Sequence, residues 1–155
     1  MPEEPLVAYI GLGANLGDAR SAVLSAIHSI AALDGVQLTR QSALYGSAPV
    51  DAGGGDYVNA VVEVLSRLSA PALLQQLQAI EQAAGRERPY RNAPRTLDLD
   101  LLLVDQQHLA DAQLTLPHPR MWQRAFVLRP LADIAPSRVT AAQLQAVANQ
   151  SIWKL

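Results

Sequence analysis

A chain of 155 residues with half its residues apolar and 17% charged fits one globular domain at the usual ~100–200 residues per domain, and we expect a single domain over residues 1–155. Fourteen acidic against twelve basic residues give a formal charge of −2, which excludes a general polyanion-binding surface, so no nucleic-acid partner is expected and any phosphate chemistry must be local. The absence of cysteine excludes disulfides, thiolate nucleophiles and sulfur-ligated zinc; the acidic start and the lack of any run near ~18 apolar residues predict a cytoplasmic protein without membrane contact.

Leu6 to Ile10 is a short continuous apolar run and predicts a buried strand, ended by Gly11-Leu12-Gly13-Ala14-Asn15-Leu16-Gly17, which reads as a tight strand-to-helix turn. Asp18 is placed to cap a helix in which Ala22, Val23, Ala26, Ile27, Ile30 and Leu33 recur at helical spacing until Asp34-Gly35. Val36 to Tyr45 predicts a second strand, and Tyr57 to Ser66, rich in β-branched residues, a third. Between them Gly46 to Asp56 carries Pro49 and Gly53-Gly54-Gly55, the composition of a mobile connection.

Proline at the first turn and one apolar face of Leu73, Leu74, Leu77, Ile80 and Ala84 predict a second helix from Ala70 to Gly85. After a polar stretch from Arg86 to Arg95, Leu97 to Val104 predicts a fourth strand. The order βαββαβ predicts an α+β fold with a ferredoxin-like core: an antiparallel sheet with both helices on one face. About fifty residues remain as a C-terminal extension, with a hairpin from Asp105 to Leu116, an apolar segment from Ala125 to Ala135 interrupted by Pro130, and a short helix near Thr140 to Asn149.

The most informative stretch runs from Arg91 to Leu102. Residues two apart on a strand share a face, ~6.6 Å from each other at ~3.3 Å per residue, so Asp98 and Asp100 project together while Leu97, Leu99, Leu101 and Leu103 enter the core. Two carboxylates in a leucine-rich strand either face solvent on an open sheet or are matched by cations. Arg86, Arg88, Arg91 and Arg95 put four of the twelve basic residues just before them. Guanidinium forks match phosphate oxygens, and hard oxygen ligands suit magnesium, so together these residues fit a nucleotide-metal site.

These residues resemble the 6-hydroxymethyl-7,8-dihydropterin pyrophosphokinases of folate biosynthesis. The resemblance spans almost the whole chain: Tyr9 to Asp18, Asp56 to Ala60, the Arg91 to Leu102 signature, Leu116 to Met121 and Arg124 to Leu131 stand in the family's order. It implies transfer of pyrophosphate from ATP to the hydroxymethyl oxygen of the reduced pterin, leaving AMP. It further implies that Asp98 and Asp100 hold two magnesium ions, that Arg86 and Arg95 stabilise charge as the β-phosphorus is attacked, and that His118 and Arg124 contact the nucleotide phosphates. Gln78, Glu81, Leu101 and Thr115 match the nucleotide side. Tyr57 and Phe126 match the pair that sandwiches the pterin, Asn59 the residue that reads its edge, and Ser47, Pro49, Val50 and Asp98 complete that side. The chain departs from common members in a shorter Arg86 to Arg95 loop, in Asn92 where some carry tryptophan, and in Gly46 and Ala48.

Each matched residue also has an ordinary reading. Phe126 suits plain core packing, Tyr57 an edge aromatic, His118 a turn between two prolines, and Gln78 and Glu81 a solvated helix face. A monomer acting on two small molecules, ATP and the pterin, is expected. The competing reading is a noncatalytic ferredoxin-like domain that binds a small ligand or regulates a partner, which fold alone permits.

Overall fold

The computed structural model of the chain describes residues 4–15, 17–48, 56–84 and 97–155. In order they form β1 (Leu6–Ala14), α1 (Ala19–Ala31), β2 (Val36–Gln41), β3 (Tyr45–Ser47), β4 (Tyr57–Ser66), α2 (Ala70–Ala83), β5 (Asp98–Val104), a small hairpin of β6 (Leu109–Ala110) and β7 (Thr115–Leu116), α3 (Ala125–Ile134), α4 (Ala141–Ala146) and β8 (Ile152–Lys154). The main sheet is antiparallel, in the order β5-β1-β4-β3-β8, with β2 also paired to β4. Among the described residues no helix is long and apolar enough to cross a membrane.

Local chemistry sets the helix starts. The Asp18 carboxylate accepts from the Ser21 N–H at 3.1 Å, and these hydrogen bonds hold its pKa below the ordinary value. Ser69 accepts from the Ala72 N–H at 3.3 Å, and Thr140 with Gln143 forms a reciprocal capping box. Gly17 and Gly35 adopt φ of +65° and +79°, a region that side chains with a Cβ rarely enter, and they turn the chain on either side of α1.

Strand alternation divides the apolar residues between two cores. Ala8, Ile10, Leu12 and Ala14 of β1 and Ala60, Val62 and Val64 of β4 pack with Val23, Ile27 and Ile30 of α1 and Leu73 and Leu77 of α2. On the other face Tyr9, Val61 and Leu102 pack under Val127, Leu128 and Leu131 of α3, with Val147 behind. The segment from Met121 to Val147 therefore covers part of the sheet face that α1 and α2 leave free. It is pinned by Tyr45, whose hydroxyl donates to Asp133 at 2.8 Å, and by Arg40, whose Nη1 donates to the Ile134 carbonyl at 3.0 Å.

Three expectations need correction. β1 does not end at Ile10 but continues through Gly11 and Gly13 to Ala14, because β4 and β5 pair with it on both sides and tertiary hydrogen bonding overrides the turn signal of glycine. The strand expected from Val36 to Tyr45 divides after Gln41, where the Ser42 hydroxyl accepts the Val61 N–H at 3.0 Å and Tyr45 opens a separate strand. Leu103 does not share a face with Leu97, Leu99 and Leu101: Tyr9 pairs with Leu103 but Ile10 with Leu101, so a bulge at Leu102 turns Leu103 toward the α3 core. The last strand, β8, lacks any sequence signal strong enough to have been expected.

Candidate functional site

The bulge leaves the start of β5 in register, and there Asp98 lies opposite Gly13 and Asp100 opposite Gly11. On the far side of β1, Gly13 lies opposite Asn59 and Gly11 opposite Val61. Cross-strand partners share a face, so Asp98, Gly13 and Asn59 form one row across three strands on the α3 side. Glycine in the middle strand leaves a slot between aspartate and asparagine about 10 Å wide, two strand spacings of ~4.8 Å. A Cβ on Gly13 would meet the Asn59 Oδ1 at 3.2 Å, tighter than ordinary contact.

This slot is the floor of a cleft of about 540 Å³, within the ~300–1,000 Å³ of small-molecule sites. Its walls include Ser47, Tyr57, Asn59, Asp98, Asp100, Arg124 and Phe126. Asn59 is only 2% exposed, and its Nδ2 donates to the Ser47 hydroxyl at 2.7 Å, which fixes the amide orientation. Tyr57 and Phe126 are half-buried, so part of each ring remains for a ligand. The Arg124 guanidinium lies 5.3 Å from the centre of the Phe126 ring.

A second cleft of about 270 Å³ opens on the other side of Asp100 and is lined by Leu74, Gln78, Leu101, Leu114, Thr115 and His118 among others. Asp100 belongs to both clefts. Its Oδ2 is 3.7 Å from Arg124 Nη1 and its Oδ1 is 3.9 Å from His118 Nε2. Burial first, then Arg124, holds the His118 imidazole below its ordinary pKa, against an opposing pull from Asp98. The neutral ring accepts the Arg120 N–H on Nδ1 at 3.2 Å, which leaves the proton on Nε2, facing Asp100. At neutral pH His118 is thus a dipolar neighbour of the carboxylate, and Arg124 is a cation beside it.

The structure brings together on one face or the other of this junction Ser47, Tyr57, Asn59, Gln78, Asp98, Asp100, Leu101, Thr115, His118, Arg124 and Phe126. Asp98 and Asp100 are part-buried in the wall of the larger cleft, Asp100 beside Arg124, and are not laid out on an open sheet. Glu81 stands apart from both walls and is not a solvated helix residue: it is 3% exposed, and its Oε2 accepts the Leu99 N–H at 2.8 Å, tying α2 to the strand that carries the aspartates. Arg86, Arg95, Pro49 and Val50, with Asn92, the rest of the Arg86 to Arg95 stretch and the greater part of the Gly46 to Asp56 connection, lie outside the described residues. The sequence reading missed Gly11 and Gly13 as floor residues, and Arg120, Gln123 and Gln150 as wall residues. For the glycines a signal was present: their spacing of two matches Asp98 and Asp100 on the neighbouring strand.

Gathered among the described residues is no group of three or more His, Cys, Asp or Glu suited to a metal ion. Two carboxylates do fit magnesium, which takes its remaining ligands from phosphate and water. The arrangement is that of a domain with two adjoining small-molecule clefts that share one carboxylate.

Comparison with known proteins gives this class a chemistry. A family model described as 7,8-dihydro-6-hydroxymethylpterin-pyrophosphokinase matches residues 9–136. A 2-amino-4-hydroxy-6-hydroxymethyldihydropteridine pyrophosphokinase of Synechocystis is 44% identical over 138 residues, covering 89% of this chain and 71% of that protein. One of Bacillus subtilis is 37% identical over 152 residues, covering 96% and 90%. A bifunctional folate-synthesis protein of Arabidopsis thaliana is 37% identical, and this chain spans only 24% of its length. Among solved structures, an HPPK-DHPS in complex with substrates superposes with a TM-score of 0.69 at 13% identity, a likeness of fold alone, over 94% of this chain and 43% of that one. The chain belongs to the 7,8-dihydro-6-hydroxymethylpterin pyrophosphokinase family.

Proposed function

We propose that this protein transfers pyrophosphate from ATP to the hydroxymethyl group of 6-hydroxymethyl-7,8-dihydropterin, releasing AMP, as a step of folate biosynthesis, and that the whole of residues 1–155 forms the one domain that does so on a ferredoxin-like βαββαβ core. The hydroxymethyl oxygen forms the new bond to the β-phosphorus, the bond from that phosphorus to the α-phosphate oxygen breaks, AMP departs with the electron pair, and the hydroxyl proton is lost. The single observation that carries this reading is that Asp100 stands on the shared wall of two clefts of different character. The larger, with Tyr57, Phe126 and a hydrogen-bonded Asn59 over a glycine floor, suits a flat heterocycle with a polar edge. The smaller, with Gln78, Leu101, Thr115 and His118, suits the nucleotide. A phosphoryl group passing between them meets the two carboxylates.

Asp98 and Asp100 are the residues that would hold magnesium, with two ions in the full assembly. The metal, when bound, neutralises triphosphate charge and polarises the phosphate under attack. Arg124 is held beside Asp100 by that carboxylate and by the Phe126 ring, so its donors are aimed before substrate arrives. His118 offers Nε2–H to a phosphate oxygen without adding a full charge. Ser47 orients Asn59 toward the pterin edge. Arg86 and Arg95 stabilise the developing charge, and Pro49 and Val50 close the pterin side; both roles rest on the family resemblance. Glu81 steadies this site through its grip on the Leu99 amide, and its place on the nucleotide side rests on the family resemblance. Action as a monomer in the cytoplasm belongs to the same proposal.

Family membership favours this reading over a noncatalytic ligand-binding domain. Incubation of the protein with magnesium, ATP and the pterin is expected to give AMP and the pterin diphosphate. Formation of ADP would indicate a single-phosphate transfer, and no nucleotide product would favour the noncatalytic domain.

A further inference from the structure

Residues 137–155 lie beyond the part of the chain that the family model matches, yet they reach the larger cleft. Val147 is buried against the α3 core, and Ile152 packs on it again five residues later. Between them Gln150 forms a fork around Arg124: its Oε1 accepts the Ala125 N–H at 2.9 Å and its Nε2 donates to the Gln123 carbonyl at 2.8 Å. Arg124 is the N-terminal flanking residue of α3 and caps the helix with no side-chain hydrogen bond of its own. Gln150 therefore supplies from a distant segment the acceptor that a local capping residue usually provides. Just beyond it, β8 pairs with β3, the strand that carries Ser47 to the opposite wall. There the Trp153 indole occupies the space a Cβ on Gly46 would need, which explains glycine at that position.

We propose that Gln150 is a positioning residue for the reaction, and that the segment from Val147 to Lys154 is a strap that fixes Arg124 and Phe126 relative to Ser47 and Asn59. This rests on the functional reading above. The physical reason is that Arg124 and Phe126 leave the backbone at the junction of a short 3-10 turn (Met121–Gln123) and α3, where the chain's own hydrogen bonds engage the Arg124 N–H and carbonyl and the Gln150 fork engages the Gln123 carbonyl and the Ala125 N–H. A fork that binds the peptide groups on both sides of Arg124 fixes the direction in which that side chain departs.

The test compares Gln150→Ala, which removes both bonds, with Gln150→Glu, which keeps the acceptor for Ala125 and loses the donor to Gln123. Exposed Gln145→Ala on α4 serves as the control. Gln150→Ala is expected to lower kcat/KM about 10-fold, to speed hydrogen exchange at the Ala125 amide, and to shift the Arg124 side-chain Nε–H resonance in the substrate-free protein, with Gln150→Glu intermediate in all three and Gln145→Ala unchanged. Wild-type kcat/KM in Gln150→Ala would overturn the proposal. So would an equal loss in Gln150→Glu and Gln150→Ala that follows only the fraction of folded protein. If the wild-type protein forms no AMP the functional reading fails, whereas the exchange and resonance measurements still report whether Gln150 holds Arg124.

Discussion

Asp98 and Asp100 face the larger cleft, Asp100 lines the smaller one as well, and Leu99 between them buries in the opposite direction. Replacing either carboxylate by its amide removes the charge proposed to bind metal and barely alters volume. Turnover of Asp98→Asn or Asp100→Asn is expected to fall by roughly 10²–10⁴-fold, while the unfolding midpoint stays within a few degrees. Steady-state assays at saturating magnesium check this, and near-normal turnover in both variants would remove the aspartates from the mechanism. Gly13 tests the slot from below. A methyl group there crowds the Asn59 Oδ1, so Gly13→Ala is expected to raise KM for the pterin by ~10-fold or more and to leave KM for ATP near its original value. Equal changes for the two substrates would mean that the slot does not hold the pterin. Asp18 offers a residue-scale pH test. Its folded pKa is depressed below 3.8 by the Ser21 hydrogen bonds, so its contribution to stability is present above that value and is lost as pH falls through the folded pKa. Asp18→Ala is expected to melt below wild type at pH 7, with the gap level down to about pH 5 and narrowing below that in thermal scans.

At the scale of elements, α2 and β5 are joined by a buried acid, because the Glu81 carboxylate meets the Leu99 N–H as the strand begins. Glu81→Ala leaves that buried amide without its acceptor and is expected to cost ~1–3 kcal/mol in denaturant unfolding. Glu81→Gln, which keeps an acceptor oxygen, should lose less. If Glu81→Ala unfolds at the wild-type denaturant midpoint, this link between helix and strand contributes nothing. The same pair shows where element-level reading works. Helical spacing of Leu73, Leu77 and Ile80 fixes α2 and its apolar face from sequence, and β-branched residues mark β4 from Tyr57 to Ser66. Spacing could not show that Glu81, on the margin of that face, is buried, because its burial depends on the strand that packs above it. Nor could it show the bulge at Leu102, since both registers of an all-leucine run bury equally well until β1 selects one.

For the whole molecule, two ligands that bind only the folded state must stabilise it by mass action. Magnesium with ATP at ~100-fold over its dissociation constant is expected to raise the melting temperature by roughly 5–10 °C, with EDTA or the Asp98→Asn change removing most of the shift. A folded protein whose melting point ignores magnesium and ATP would contradict the proposed site. The sequence by itself determined the order of the principal helices and strands, the pairing of Asp98 with Asp100 on one face, and the family, because periodicity, capping and motif spacing are local and survive without knowledge of what packs where. Tertiary structure alone decided that Gly11 and Gly13 are a strand and a floor, that Glu81 is an internal tie, and that Gln150 reaches back to the peptides around Arg124. Each of these depends on a partner 18 or more residues away or on the far side of a sheet, and a contact of that kind leaves no period in the chain.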